Sequence, residues 1–367
     1  MYQNIMKTIK SDLLFSISLC LAVISIVFGR FDSSFIDVKV LYSLFGLMVV
    51  VESFKQLGIL EAIANLVLRI ANTKRQLFLY FISLSFVSSM FLTNDVAILT
   101  LLPMFYLICT KRLKTKELVF GSVWIIVAAN LGSSLFPSGN PQNIFLFSYY
   151  ELSLKMFFSW MLPFALVAIM LLSLGLIWIP KERITENDAA VKMTRQGIGV
   201  AIFSFFLMLL YVVNLVGQWW IVVVVLVLML WRFPKSYAKI DYRLLLTFVC
   251  FFIIVGNIKE SPQVAHWVSE TVRTSKSALV SSALISQVIS NVPAAFLLAP
   301  FTKQAHSLVI GTNIGGMGTL IASLANLIGY RVLTTYVPQI KGAFLLWFSL
   351  FNVCYFSVFI VIFWFLS

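Results

Sequence analysis

FLTNDVAILTLLP at residues 91–103 and SQVISNVPAAFLLAP at 286–300 decide how this chain folds. Each belongs to an apolar stretch cut midway by polar residues, Thr93-Asn94-Asp95 in the first and Ser290-Asn291-Val292-Pro293 in the second. At membrane depth an unwound polar turn survives only where protein or a watery cavity surrounds it. Both stretches therefore read as re-entrant hairpins, 76–110 and 277–301, that enter and leave on the same side. Composition supplies the membrane that this reading needs. The 367 residues are 60% hydrophobic and 11% charged, with a mean hydropathy of +0.98, whereas a soluble domain carries roughly 25% charged residues. The apolar excess runs the whole length of the chain, which leaves no room for a separate soluble catalytic domain.

Outward from the hairpins, spans are expected near 13–29, 40–54, 118–150, 155–180, 198–216, 219–231, 244–258, 307–330 and 341–366. Two mixed-charge stretches, 57–71 and 262–276, read as interfacial helices just before each hairpin. The first apolar run has no small-x-small cleavage site behind it and reads as a retained helix. The net charge of +13 does not imply nucleic acid, because the basic residues punctuate the apolar runs instead of gathering on one tail. With the N-terminus inside, the loops at 69–75, 111–116, 181–195, 232–243 and 331–341 all fall inside and carry most of the 27 bases, as the positive-inside rule requires. This places the chain in the plasma (inner) membrane with a cytoplasmic N-terminus and an outer C-terminus. Cys20, Cys109, Cys250 and Cys354 are scattered singly and read as buried apolar residues. His266 and His306 fall on expected outer loops. No metal spacing is present.

The two halves match. Asn94 precedes Pro103 by the same interval as Asn291 precedes Pro300, and Asn130 precedes Asn143 as Asn313 precedes Asn326. Residues 1–180 then form a first repeat with a cytoplasm-entering hairpin, and 219–367 a second with an outside-entering one. A linker and one connecting span, 181–218, invert the second against the first. The expected fold is an all-α polytopic membrane protein with two re-entrant hairpins and two broken transmembrane helices. That is the plan of secondary transporters, whose sites lie where broken elements meet near mid-membrane.

At such breaks, half-helix N-termini hold anions, while carbonyl ends with Asn and Ser/Thr side chains hold Na+. The candidate substrate and ion ligands are Thr93, Asn94, Asp95, Asn130, Ser133, Gly139, Asn140 and Asn143 in the first half. Ser290, Asn291, Thr312, Asn313, Gly315, Thr319 and Asn326 are their counterparts in the second. Na+ would sit at Asn94 and Asn291, and no other cofactor or metal is expected. The competing account for each residue is helix packing, for which the Gly311-x-x-x-Gly315 pair is suited. Asp95 is the one acid inside the broken segments, opposite Val292. A carboxylate in the membrane costs about 2.5 kcal/mol or more, so Asp95 is the candidate coupling residue, as proton carrier or Na+ ligand, with a helix-capping role as the bland account. Glu52 reads as a snorkelling partner of Lys55. No catalytic constellation is present, so an enzyme is not expected. The expected partners are a small-molecule or ion substrate and the lipid bilayer, with a homodimer left open.

FLTNDVAILTLLP (91–103), NLGSSLFPSGNPQN (130–143), SQVISNVPAAFLLAP (286–300) and NIGGMGTLIASLANLI (313–328) together resemble the YbiR-like branch of the ion transporter superfamily. That superfamily also holds arsenite permeases, NhaD sodium/proton antiporters, citrate-metal transporters and divalent-anion/sodium symporters. The resemblance covers essentially the whole chain. It implies the two-hairpin inverted-repeat fold and a site between the hairpin tips. The Ser-Asn-Thr triplets of the symporter branch are replaced here by Thr93-Asn94-Asp95 and Ser290-Asn291-Val292, which sets this chain nearer the arsenite and antiporter branches. The expected function is alternating-access transport of a small, anionic solute coupled to H+ or Na+, with a cation/proton antiporter or arsenite-type efflux permease as the alternative.

Overall fold

A computed structural model describes residues 13–59, 62–63, 66, 70–110, 113–183, 196–213 and 215–367. Among these the chain is helical, and its only β pairing is an isolated bridge between Thr73 and Arg183. The first half comprises α1 (Leu13–Phe28), α2 (Val38–Leu57), α3 (Lys74–Leu92), α4 (Asn94–Cys109), α5 (Thr115–Ser133), α6 (Pro141–Tyr149) and α7 (Leu154–Leu176). After the connecting α8 (Ile198–Val212) come α9 (Trp220–Arg232), α10 (Tyr242–Glu260), α11 (Pro262–Thr271), α12 (Ser275–Ile289), α13 (Asn291–Leu298), α14 (Ala305–Gly315), α15 (Leu324–Tyr336) and α16 (Lys341–Leu366). Four of them, α3, α7, α10 and α16, are long and apolar enough to cross a membrane. Their outward faces are apolar, with Leu162, Leu166, Leu346 and Leu350 all more than half exposed, which suits contact with lipid tails and not with water.

Both polar interruptions end a helix in the same way. Thr93 has φ 71° and ψ 151°, and Ser290 has φ 78° and ψ 153°. This region is almost closed to residues with a Cβ and costs of order 1–3 kcal/mol. The chain doubles back at each point, so α3 packs against α4 and α12 against α13.

The two hairpins open at opposite ends of the molecule. At the base of the first, Lys74 bridges Glu117 at 2.9 Å and Glu182 at 2.6 Å, tying the start of α3 to the start of α5. Arg75 donates to the carbonyls of Ile177 and Ile179 at the end of α7. The same end holds Lys55 and Lys239, both paired with Glu52, and is here called the basic end. At the base of the second hairpin, Thr302 donates to the Val272 carbonyl at 2.7 Å and Ser275 to Gln304 at 2.9 Å. Tyr150, following α6, donates to the Ala299 and Thr302 carbonyls there. This far end also carries the Arg30–Glu260 pair joining α1 to α10.

The Lys74 knot is testable. Its hydrogen bond holds the Glu182 carboxylate below the ordinary value, so that contribution is present above the unfolded value and is lost as pH falls through the lowered one. Lys74→Met is expected to lower the denaturation midpoint in detergent by roughly 2–4 °C at neutral pH, with a smaller effect at pH 3. An equal shift at both pH values would mean that Lys74 acts only through packing.

The helices depart from the sequence reading in four places. The 331–341 loop is largely helical, since α15 runs on to Tyr336 and α16 starts at Lys341. His306 lies in α14, half-buried against the Trp160 ring at 5.2 Å, not in a solvated loop. His266 is exposed, but on α11. Cys109 and Cys250 are buried, whereas Cys20 and Cys354 are exposed on the apolar outer faces of α1 and α16, where a small weakly polar group is tolerated. Residues 60–61, 64–65 and 67–69 of the 57–71 stretch and 184–195 of the 181–195 linker lie outside the described residues.

Candidate functional site

α5 stops at Ser133 and α6 begins at Pro141; α14 stops at Gly315 and α15 begins at Leu324. These two breaks cross at the centre of the molecule. Close packing makes the crossing possible. A Cβ on Gly132 would lie 2.1 Å from the Phe86 carbonyl oxygen, and one on Gly315 would lie 2.4 Å from Ser286 Oγ. Only glycine lets α5 and α14 approach the long arms of the hairpins this closely.

Asparagine amides lock the crossing. Asn130 donates to Asn326 Oδ1 at 2.6 Å, and Asn313 donates to Asn143 Oδ1 at 2.8 Å. Each bond joins one half of the chain to the other, and the two are related by the repeat. Asn140 adds a bond to Asn313 at 3.1 Å, and Ser323, its counterpart, one to Asn130 at 3.4 Å. The remaining amide protons close the breaks themselves. Asn143 donates to the carbonyls of Ser133, Ser134 and Phe136, and Asn326 to those of Gly316 and Thr319. The Phe136 and Thr319 carbonyls also accept from the Gly139 and Ala322 N–H groups, while those of Ser133, Ser134 and Gly316 stand at helix ends, where carbonyls lack helical partners.

The hairpin tips dock on the same breaks. The Asn94 backbone N–H donates to the Gly139 carbonyl at 3.3 Å, and that of Asn291 to the Ala322 carbonyl at 2.9 Å. The tips differ in their side chains. Asn94 donates to Asn130 Oδ1 at 3.0 Å. In the second half Asn313 Oδ1 takes Asn140 instead, and the Asn291 amide nitrogen lies over Gly316.

A cavity of about 30 Å³ lies between the tips. Its polar lining is Asn94, Asp95, Gln142, Thr247, Ser290, Asn291 and Ser323. The first turns of α4, α6, α13 and α15 all border it, so four helix N-termini point into one space that no lysine or arginine lines. Asp95, in the first turn of α4, makes no ion pair among the described residues, and α4 has no side-chain cap. A second cavity of about 200 Å³ runs from Thr93 and Asp95 to the basic end, where Glu52, Lys55, Lys239 and Asp241 form its mouth. The two spaces share Asp95, Pro141, Leu244 and Leu324.

The sequence candidates thus separate by position. Asn94, Asp95, Ser290 and Asn291 face the small cavity, and Thr93 faces the large one. Asn130, Ser133, Asn140, Asn143, Asn313 and Asn326 belong to the buried lock. Thr312 donates to the Leu308 and Val309 carbonyls of its own helix. Gly139 presents its carbonyl to a tip, Gly315 is a packing position, and Thr319 is bound through its N–H and hydroxyl to Gln287. Gln287 escaped the sequence reading. Its amide donates to the Gly315 and Met317 carbonyls and closes the second break from the hairpin side. Gln142 and Thr247 were also passed over, Ser323 was seen only as the middle of the Ala322-Ser323-Leu324 half-site and not as a ligand, and the reach of Glu52 to Lys239 at 3.9 Å beyond its i,i+3 bond to Lys55 was missed. The clue for Gln142 and Ser323 was their place in the first residues after each break.

Comparison with known proteins adds the following. The citrate transporter family model, CitMHS, matches residues 8–307. An uncharacterized transporter of Methanocaldococcus jannaschii is 31% identical over 319 residues, covering 86% of this chain and 87% of that protein. The inner membrane protein YbiR of Escherichia coli is 30% identical over 301 residues, 81% of this chain and 80% of that protein. Among solved structures, the Alcanivorax borkumensis YdaH transporter aligns with a TM-score of 0.56 at 13% identity, over 88% of this chain and 83% of that one, a likeness of fold.

Proposed function

The chain belongs to the citrate transporter family, and from that premise we propose that it moves a small anion by alternating access, with Asp95 as the coupling site for H+ or Na+. That it is a transporter and not an enzyme follows from the family. The choice of solute rests on one observation, the convergence of four helix N-termini on a cavity without a basic side chain. The N–H groups of Asn94, Asp95 and Asn291 are already taken by the Gly139 carbonyl, Asn94 Oδ1 and the Ala322 carbonyl, so it is chiefly the aligned peptide dipoles at these ends that favour negative charge. The Asn94 and Asn291 amides would supply hydrogen bonds to it, and the Ser290 and Ser323 hydroxyls would do so on releasing the Ala322 carbonyl and Asn130 Oδ1. Asp95 in the same space opposes an anion electrostatically until a cation neutralises it. That opposition links the two ligands: anion and cation bind together more readily than either alone.

The same proposal reads 1–180 and 219–367 as inverted repeats joined through 181–218. The paired lock bonds and the hairpins opening at opposite ends support it. The concentration of bases at one end supports a cytoplasmic basic end in the plasma membrane, with an outer C-terminus.

A thermal-shift screen tests the solute class. Small carboxylates and oxyanions, each at pH 5.5 and 8 and in Na+ or K+, should raise the midpoint by mass action only when Na+ or low pH accompanies the anion. Stabilisation by cations alone, with every anion inert, would favour the cation/proton antiporter reading.

A further inference from the structure

The repeat can be registered at three places, and together they relate the closed and open paths to the site. Asp37 caps α2 by accepting from Val40 N–H, and Asp241 caps α10 by accepting from Leu244 N–H, the matching position. Counting from these caps, Leu44, Leu47 and Met48 of α2 correspond to Phe248, Phe251 and Phe252 of α10. Counting from the tips, Leu99 corresponds to Phe296; counting from the Asn130 and Asn313 breaks, Phe145 corresponds to Ile328.

The phenylalanines form one packed cluster on the far side of the small cavity. Phe145 and Phe296 stack at 3.8 Å with an interplanar angle of 11°. Phe248 and Phe252 each lie 5.0 Å from Phe296, and Phe251 6.3 Å. Phe145 and Phe296 stand on the crossed breaks and the second hairpin, while the other three stand on α10. The aliphatic mates have the opposite fate, for all five line the 200 Å³ cavity that opens at the basic end.

We infer that the phenylalanine cluster is the closed gate of the far path and that Leu44, Leu47, Met48, Leu99 and Ile328 are the corresponding gate of the basic path, standing open. This rests on the alternating-access reading above. In the opposite state the aliphatic set closes and the aromatic set parts. The two closures are unequal. Stacked and edge-on rings attract beyond the area they bury, so the empty carrier rests open to the basic end, and bound solute must favour the other state to part the rings.

The test needs no solute flux. In a background with Cys20, Cys109, Cys250 and Cys354 replaced by serine, Val292→Cys, in the small cavity, reports access to a membrane-impermeant thiol reagent in vesicles of each orientation. The parent should label faster from the basic end. Phe145→Ile with Phe296→Leu, which installs the residues of their repeat mates Ile328 and Leu99, should speed labelling from the far end about three- to tenfold. Leu99→Phe with Ile328→Phe should slow labelling from the basic end. Denaturation midpoints of both variants guard against unfolding, which would speed labelling from both ends in both. Far-end labelling unchanged in Phe145→Ile/Phe296→Leu, or basic-end labelling unchanged in Leu99→Phe/Ile328→Phe, overturns the gate. A shift in sidedness without measurable transport would keep the gate and sink the transport reading; transport with unshifted sidedness would sink the gate alone.

Discussion

Asp95→Asn is expected to abolish gradient-driven accumulation while leaving solute exchange in place. Asp95 borders both cavities, so it stands where the basic-end path meets the site. Its repeat mate is Val292, so one half of the site carries a charge and the other none. Among the described residues its carboxylate has no ion-pair partner, and no side chain caps α4. A carboxylate so placed at membrane depth is costly and is relieved by a proton or a metal cation. Asparagine keeps the shape and removes the charge. A single ion moving down 100 mV supplies about 2.3 kcal/mol, enough for about 50-fold accumulation. Proteoliposomes loaded with solute should therefore exchange across the Asp95→Asn protein at a rate near that of the parent, while net accumulation under a pH or Na+ gradient falls to none. Undiminished accumulation would place the coupling ion elsewhere.

The largest loss of stability is expected from Asn130→Leu. Asn130 Oδ1 accepts from Asn94 and Ser323, and its amide donates to Asn326. Leucine fills the space but leaves Asn326 Oδ1 and the Asn94 amide without that partner inside the protein. Each orphaned buried polar group costs about 1–3 kcal/mol, so the substitution should cost about 2–6 kcal/mol. Thr312 is equally buried one helix away, yet its hydroxyl bonds only to carbonyls already paired within α14. Thr312→Val should therefore cost about 1 kcal/mol or less. Denaturation in detergent measures both. Equal losses would mean that the region is sensitive to any change, and that the crossed amides are not what holds it.

The breaks, the tips and the lone acid were legible because each violates a strong rule: a polar run inside an apolar helix has few physical excuses. The same rule could not divide the asparagines. Asn94 and Asn143 look alike in the sequence, but Asn94 faces a cavity while Asn143 closes helix ends. That difference depends on which helix crosses which, a long-range fact that local pattern does not carry. The phenylalanine gate was hidden for another reason. In a chain with 34 phenylalanines, any five of them look like ordinary core. Their meaning comes from the contrast with their mates, and that required knowing that Asp37 and Asp241 begin equivalent helices. Gln287 stood one turn before its tip with no counterpart, since Met90 occupies the matching position, so the symmetry that revealed the other residues passed over it.

The crossed amides also constrain how the gene can change. Asn130 answers to Asn326, and Asn143 to Asn313, each across the divide between the halves. A mutation at one of them strands a group encoded far downstream or upstream, and only a second mutation in the other half can restore it. Elsewhere the halves differ, aspartate against valine at the tips and phenylalanine against aliphatic residues at the gates. At these four codons they share a single fate, and lineages must cross that valley in pairs of steps or not at all.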